Sequence, residues 1–350
     1  MTLSPARFLA FVLGALGLGA ALAGWTIAPG AFAGAWLAAF SWFIGWPLGS
    51  LALLLIHSLT GGRWGDVLRP ALIAGVTALF LIVPLALPLL FTAARLYPWL
   101  THAAPAGKGF YLNAPFFAVR AVVYLTLWCG LGALTLRVLR GATAEASLRR
   151  LAPPGLALLA FTVTFAAIDT TMALDPQFNS SVYGLLTMAG EGLLGLSIAV
   201  LATALLTRPT PGEWSDLGRL LIGLVVFWAY LDFMQFLIVW QSDLTSEIPW
   251  YLRRSQGLWG WVAGLIAIGH FLLPFFLLLT AAAQRRRGIV AGTAALLIGV
   301  EVLRAWWLVL PSLGGGFGWI DLAAMIGFAG LSLGWLAHRM GQAREVLRDV

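Results

Sequence analysis

The chain contains ten apolar runs of about 20 residues each, and this pattern constrains its fold more than any other feature. An α-helix needs about 20 residues to cross the ~30 Å hydrocarbon core of a bilayer. The runs do not alternate between polar and apolar residues, which excludes a closed β-barrel, the other structure that satisfies backbone hydrogen bonds in lipid. The runs occupy residues 8–27, 36–59, 69–91, 115–137, 155–173, 182–206, 217–240, 258–283, 289–310 and 319–338. We therefore predict an all-α integral membrane protein with ten transmembrane helices.

Composition and charge agree with this class of protein. The chain is 61% hydrophobic and 10% charged, whereas soluble globular domains contain about 25% charged residues. The net charge is +7, and in a membrane protein the basic residues of short loops set the orientation. Most of the arginines fall at the termini and in alternate loops, which predicts that both termini are cytoplasmic. A basic rim of this kind suits anionic lipid headgroups and needs no nucleic-acid partner.

A short motif occurs twice and predicts an internal repeat. The pattern W-x-D-x-x-R lies at 64–69 and again at 214–219, each time in a polar hinge between two apolar runs. We predict two tandem four-helix bundles, formed by helices 2–5 and 6–9 and flanked by helices 1 and 10. The corresponding segments are residues 1–30, 31–175, 176–312 and 313–350.

Cysteine and histidine usage limits the redox chemistry of the chain. Cys129 is the only cysteine, so the chain can form no intrachain disulfide, and its own cysteines can hold neither an iron–sulfur cluster nor a c-type haem. A haem held by two histidines needs both at one depth, and the four histidines offer no such pair inside the membrane. We expect no metal to be bound by this chain alone.

Ionisable residues inside the predicted helices are the candidate functional residues, because charges within a membrane are costly and tend to mark proton pathways or ligand sites. Most are predicted to lie in the half of the membrane remote from the cytoplasm. The candidates for proton transfer or for lining a ligand pocket are Asp169, Glu191, Asp232, His270, Glu301, Arg304, Asp321 and His57.

For several candidates a structural role is the alternative. Glu301 and Arg304 are three residues apart on one helix face and can neutralise each other. Asp169 and Asp321 can lie at the membrane surface near headgroups, and His57 can bond a backbone carbonyl at the cytoplasmic surface.

Glu191 and Asp232 are harder to assign to a structural role, because neither has an obvious local partner and neither is at a helix end. Arg120, about one turn inside helix 4, is expected to extend towards the headgroups. The basic segment 138–154 is expected to be a loop, and the glycines of helix 1 are expected to allow a neighbouring backbone to approach closely.

Two stretches resemble a known family of membrane subunits. They are residues 54–65 (LLIHSLTGGRWG) and residues 227–252, which begin with FWAY and end with WYL. Together with the predicted pattern of helices, they resemble the NrfD-like superfamily, which includes the membrane subunit of polysulfide reductase. Within it they are most similar to the ActF-type subunit of bacterial alternative complex III.

The resemblance implies a multi-pass subunit of a quinol-oxidising respiratory complex in the bacterial cytoplasmic membrane. Such a chain has a sister NrfD-like membrane subunit, iron–sulfur and c-type haem subunits and lipids as partners, and the redox centres lie on those partners. It would supply scaffold, a possible quinone-adjacent pocket and proton-conducting groups, and would not be catalytic alone.

Two other functions stay open from the residues themselves. Secondary transporters also combine internal repeats with charges at mid-depth. Against a transporter, a repeat of four helices keeps one orientation, and no helix pair shows matched signals of unwinding. The third possibility is a purely structural assembly subunit in which every buried charge belongs to a structural pair.

Overall fold

A computed structural model describes the backbone of residues 5–102 and 104–348 and the side chains up to residue 342. Within these residues the regular elements are helical, and ten helices are long and apolar enough to cross a membrane. The prediction of an all-α protein with ten candidate membrane spans is therefore confirmed. The helices are α1 (Pro5–Ile27), α2 (Pro29–Thr60), α3 (Arg63–Leu96), α4 (Ala114–Val138), α5 (Ala144–Leu174), α6 (Tyr183–Leu206), α7 (Pro211–Gln241), α8 (Gly257–Leu278), α9 (Arg287–Leu313) and α10 (Trp319–Arg348).

The prediction of a loop over residues 138–154 is wrong in its extent, because the segment becomes helical at residue 144. Helix α5 begins at Ala144 and contains Pro153 and Pro154 in its interior. Proline removes a backbone donor from a helix and usually marks its start or its end. Here Leu148 and Ala152 are buried against the core, and this packing holds the first turns of the helix in spite of the missing hydrogen bonds.

Helices α2 and α6 form the centre of the molecule. Each packs against the other and against α3, α5 and α9, and α2 is buried over most of its length. Their backbones touch directly, because a Cβ atom added at Gly49 would lie only 2.0 Å from the carbonyl oxygen of Glu191. A Cβ atom at Gly195 would likewise lie 2.8 Å from the carbonyl carbon of Gly49. This crossing fixes Glu191 at the centre of the helix assembly.

Helix α1 packs chiefly on α10, so its glycines serve a contact within the chain. A Cβ atom at Gly17 would lie 2.4 Å from the amide nitrogen of Gly327, and one at Gly330 would lie 2.5 Å from that of Gly14. Small residues that let backbones approach in this way are the usual means of helix association in membranes. The expected close approach of a neighbour to helix 1 is confirmed, and the neighbour is α10.

The connections between helices lie at two ends of the molecule. At one end, which we call the arginine-rich end, Arg63 pairs at 2.8 Å with Asp216. Arg63 directly precedes the first copy of the W-x-D-x-x-R motif, and Asp216 belongs to the second. At the opposite end, Lys108 donates to Asn179 at 2.8 Å. The division into two four-helix bundles and the cytoplasmic placement of the termini stay predictions.

Candidate functional site

A network of buried ionisable side chains lies between α8 and α9. Nε2 of His270 is 2.7 Å from Oε1 of Glu301, and Nη1 of Arg304 donates to Oε2 of the same carboxylate at 3.1 Å. His270 and Glu301 are both buried. The expected pairing of Glu301 with Arg304 is confirmed, and His270 joins it from a second helix, so that both carboxylate oxygens are held.

A widened turn in α8 presents His270 to this network. Residues Ala267–Leu272 form a π-helical segment, and such segments often occur at functional sites. The segment is followed by Pro274, which lacks the N–H that would otherwise bond to the carbonyl of His270 four residues earlier. The ring of His270 lies 3.9 Å from that of Trp228 on α7, measured between ring centroids.

Helix α6 leaves room for Arg304 because Gly190 faces the guanidinium. A Cβ atom at Gly190 would lie 2.7 Å from Nη1 of Arg304 and 3.4 Å from Oε1 of Glu301. The guanidinium carbon also lies 5.5 Å from the centre of the Trp228 ring, within the range of a cation–π contact. Three helices therefore confine Arg304 at one position.

A large cavity of about 960 Å³ opens between α6, α7, α8, α9 and the short helix Ile248–Ser255. Its volume falls in the range of small-molecule sites, which is roughly 300–1,000 Å³. Asp232 and Arg304 are the charged side chains on its wall that belong to the membrane-spanning helices. Aromatic rings form much of the remaining surface: Trp228, Tyr230, Phe233, Phe236, Trp240, Trp250, Tyr251, Phe271 and Trp307.

The mouth of the large cavity faces sideways, towards the surroundings of α7. Tyr230 and Phe233 line the cavity and are 59% and 58% exposed. On the buried face of the same helix, Gln235 accepts a hydrogen bond from Ser180 at 2.6 Å and donates to the hydroxyl of Tyr251 at 3.2 Å. An apolar molecule could therefore enter from the membrane and meet polar groups inside.

A small cavity of about 150 Å³ lies on the other side of Arg304, among α2, α3, α4, α5, α6 and α9. Glu191 and Glu301 line this cavity, and Asp232 does not. Thr187, Arg304 and Leu308 line both cavities. These three side chains form the wall between the two spaces, with Asp232 on one side and Glu191 on the other.

Asp169 lies outside this network, in a bidentate pair with Arg120. Nε and Nη2 of Arg120 donate to the two carboxylate oxygens at 2.7 and 2.8 Å, and the hydroxyl of Tyr124 donates to Oδ2 at 2.8 Å. The expectation that Arg120 extends to the headgroups is therefore wrong. The guanidinium is buried because charge-assisted hydrogen bonds to Asp169 replace its contacts with water.

His57 and Asp321 also lie apart from the network, in structural contacts. Nε2 of His57 is 2.9 Å from the carbonyl oxygen of Gly62 and 3.8 Å from the carboxylate of Asp66. This is the carbonyl contact expected as the alternative for His57. Asp321 accepts a hydrogen bond from the backbone N–H of Gly318 at 2.8 Å, next to the start of α10.

Arg254 is fully buried, although no pattern in the sequence predicted it. Its guanidinium lies 3.8 Å from the centre of the Trp250 ring and donates to the carbonyl of Leu308 at 2.7 Å and to Asp175 at 3.5 Å. Burial lowers the pKa of Arg254 to about 10, although the charge of Asp175 opposes the shift. These contacts hold the helix Ile248–Ser255 in place, and this helix forms part of the wall of the large cavity.

The sequence indicated the cluster of Arg254, Asp175 and Ser312 only indirectly. The Arg253–Arg254 pair and Asp175 both lie in predicted loops that are mixed in charge or polar, and loop charges are usually solvated. Only the long-range fold brings the two loops together, and Ser312 in the last turn of α9 completes the cluster by donating to Asp175 at 2.6 Å.

Among the described residues, no three or more histidine, cysteine, aspartate or glutamate side chains are grouped so that they could hold a metal ion. The placement of redox metals on partner subunits stays a prediction.

Comparison with known proteins gives no match: no protein-family model matches the chain, and no curated protein matches it significantly. The resemblance to the NrfD-like superfamily therefore stays a hypothesis that depends on residues 54–65, residues 227–252 and the pattern of helices.

Proposed function

We propose that the chain is an integral membrane subunit of a quinol-oxidising respiratory complex and that its large cavity receives the quinol headgroup. One observation carries this proposal: a sideways-facing aromatic cavity has Asp232 and Arg304 on its wall, next to a buried ionisable network. A quinol combines a hydroxylated aromatic ring with a long apolar tail. A ring inside the cavity and a tail in the membrane would match both parts.

Asp232 is proposed as the acceptor of a quinol proton. The O–H bond of the quinol breaks and the proton passes to a carboxylate oxygen, which is general base catalysis by a positioned side chain. Gln235 and Tyr251, already joined at 3.2 Å, would hold the ring by hydrogen bonds. The electrons leave for an iron–sulfur or haem centre on a partner subunit, as the resemblance implies.

The network behind the wall is proposed to fix the position of Arg304. Glu301 holds the guanidinium and is itself held by His270, so the positive charge cannot move far from Asp232. A fixed charge stabilises the negative charge that develops when the quinol loses its proton, without reorganisation during the reaction. Glu191 is proposed as a second proton acceptor on the far side of the wall.

The distribution of ion pairs argues against a purely structural subunit. In the described part of the chain, the ion pairs include Asp169, Asp175, Asp216 and Glu301 but neither Glu191 nor Asp232. An intramembrane carboxyl group without an ion-pair partner costs stability. A functional role for both explains why that cost is tolerated.

A secondary transporter is less favoured by the positions of the helix interruptions. Helix α3 is broken at Ala78, and α8 contains the π-helical segment Ala267–Leu272. In the predicted repeat, α3 is the second helix of its bundle and α8 is the third of the other. Inverted-repeat transporters place broken helices at corresponding positions, and these two do not correspond.

Isolation of the native complex in mild detergent tests the proposal first. We expect iron–sulfur and haem c subunits to co-purify with this chain. Purification of the chain alone and without colour would contradict the proposal and would favour a transport assay.

Substitution of the proposed acceptors follows in the intact complex. We expect Asp232→Asn to reduce quinol turnover by about 100-fold or more, the usual contribution of a general base, and Glu191→Gln to slow it as well. Glu145→Gln is the matched control, because Glu145 is an exposed carboxylate at the arginine-rich end. Wild-type turnover in Asp232→Asn with full assembly would refute the assignment.

A further inference from the structure

The small cavity differs from the large one in size and in chemistry. Apolar side chains form most of its wall, and three ionisable side chains, Glu191, Glu301 and Arg304, lie on that wall together with several residues that carry hydroxyl groups. Aromatic rings dominate the large cavity instead. The hydroxyl-bearing side chains on the wall of the small cavity are Ser41, Tyr97, Tyr124, Thr170, Thr171 and Thr187.

We propose that the small cavity is a water-filled vestibule that takes up protons from the large cavity through the wall formed by Thr187 and Arg304. The proton source in this inference depends on the proposed function, but the water content does not. The ligand proposed for the small cavity is a group of water molecules and not a second quinol.

The volume and the three ionisable side chains on the wall favour water. A water molecule occupies about 30 Å³ in the liquid, so a cavity of this size holds roughly five. Cavities with apolar walls stay dry, whereas polar sites with two to four partners per molecule hold ordered water. The ionisable side chains of Glu191, Glu301 and Arg304 provide such partners on the wall of the vestibule. The hydroxyls of Tyr97, Tyr124, Thr170 and Thr171 already donate to groups of the chain, so they can only accept hydrogen bonds from water.

The cavity extends from the centre of the molecule towards the end opposite the arginine-rich end. Glu191 lies at the crossing of α2 and α6, where a Cβ atom at Gly45 would meet its side chain at 3.4 Å. Tyr97 and Thr170 lie near the ends of α3 and α5, where the hydroxyl of Tyr97 donates to the carbonyl of Thr170 at 3.0 Å. Water along this lining would connect Glu191 with that end.

Thr187 is the group in the wall that can pass a proton. Its hydroxyl donates to the carbonyl of Tyr183 at 2.9 Å, and a hydroxyl both donates one hydrogen bond and accepts others. In the transfer, the hydroxyl turns away from the carbonyl of Tyr183 and gives its proton to an acceptor on the vestibule side, while a proton from protonated Asp232 binds to its oxygen, directly or through one water molecule. The acceptor is the carboxylate of Glu191 or a vestibule water, and no electron moves in this step.

Arg304 is the positioning residue of the wall. Its charge is held by Glu301 at 3.1 Å and faces both spaces, so it repels a hydronium ion that would cross without transfer through Thr187. The wall therefore separates the apolar quinol space from the aqueous one but leaves one route for protons.

The water content can be tested in the full chain without quinol or partners. Cys129 is the only cysteine, so Cys129→Ser provides a cysteine-free background. Single cysteines are then introduced by Ser41→Cys in the small cavity, Ala229→Cys in the large cavity and Val122→Cys on α4. Val122 is 63% exposed on the outside of the helix assembly and is the control for lipid contact.

Sealed vesicles that contain each variant are treated with a charged, membrane-impermeant thiol reagent and with a lipophilic maleimide. We expect the charged reagent to modify Ser41→Cys from one side of the membrane about tenfold faster than Val122→Cys, because the reactive thiolate forms in water. Ala229→Cys should prefer the lipophilic reagent, as Val122→Cys does. Modification of Ser41→Cys by the lipophilic reagent alone would overturn the vestibule and would show that the cavity opens to lipid.

The route through the wall needs the assembled complex. Thr187→Val removes the hydroxyl and keeps the shape, and Thr187→Ser restores it. We expect proton release during quinol turnover to slow about tenfold in Thr187→Val and to recover in Thr187→Ser, with Ser41→Cys still accessible to the charged reagent. Wild-type proton release in Thr187→Val overturns the route. A vestibule that is aqueous in a complex that does not oxidise quinol would contradict the proposed function alone.

Discussion

Replacement of Gly49 by alanine tests whether direct contact between α2 and α6 holds the candidate site together. The added Cβ atom would lie 2.0 Å from the carbonyl oxygen of Glu191, whereas ordinary contacts begin near 3.4 Å. The atoms it meets belong to the backbone and cannot rotate away. The two helices must therefore separate locally by about 1.4 Å, the difference between these distances.

The cost of this separation can be estimated from overpacking. Extra methyl or methylene groups in a well-packed interior cost about 1–3 kcal/mol, and occasionally more. Because the clash is with backbone on both sides, we expect Gly49→Ala to fall in the upper part of this range. Since Glu191 moves with the backbone of α6, the variant should also disturb the small cavity.

Gly192→Ala is the matched control, because a Cβ atom at Gly192 would have nothing within 4 Å. Alanine is a better helix former than glycine by about 1 kcal/mol in exposed helices, so this variant should be neutral or slightly more stable. Reversible unfolding of the purified chain in mixed detergent measures both. Equal midpoints for Gly49→Ala and Gly192→Ala would refute the backbone contact between α2 and α6.

Three further results are expected. Asp169→Asn should lower the free energy of unfolding by about 3–5 kcal/mol, because it leaves Arg120 buried without its charged partner. Unfolding in detergent at neutral pH measures this loss, and an unchanged free energy would contradict the importance of the pair. Burial lowers the pKa of Lys108, so acylation of this lysine, mapped by mass spectrometry, should reach half its maximal rate below the ordinary value of 10.5. Between the lowered and the ordinary pKa, the folded chain binds fewer protons than the unfolded chain, so the free energy of unfolding rises with pH in that window. A midpoint of acylation at pH 10.5 would contradict the burial of Lys108. Gly17→Ala should destabilise the packing of α1 on α10, whereas Gly19→Ala should not, since its Cβ atom meets nothing within 4 Å.

Much of the fold could be predicted because each membrane span carries its own signal. A run of about 20 apolar residues needs no partner to be recognised, and the ten runs agree with the ten helices of the structure. The pairing of Glu301 with Arg304 was predictable for the same reason, since residues three apart share one helix face. The error at 138–154 arose where buried packing outweighed the local signal of Pro153 and Pro154.

The rest of the site depends on contacts between distant segments. The pairing of Arg120 with Asp169 joins two helices, and no spacing along the chain indicates it. His270 reaches Glu301 through a π-helical segment, which a helical period of 3.6 residues does not predict. Pro274, four residues after His270, was the available signal for that distortion.

The repeated motif supplies a last argument about where the chemistry lies. With W-x-D-x-x-R at 64–69 and at 214–219, the predicted repeat places positions 150 apart in register. Asp232 then corresponds to Ile82, and Glu191 corresponds to Ser41. An apolar residue thus stands opposite one proposed acceptor and a neutral hydroxyl opposite the other.

The two segments of the predicted repeat contribute different groups to the candidate site. The wall residues Thr187, Arg304 and Leu308 all belong to the segment 176–312, as do Asp232 and Glu191. The segment 31–175 contributes hydroxyl groups to the small cavity and the structural pair of Arg120 with Asp169. In the predicted repeat, the ionisable side chains around the wall shared by the two cavities therefore all come from the second segment. This distribution supports the proposal of a single proton-transfer site, because the first segment offers no equivalent of Asp232 or Glu191.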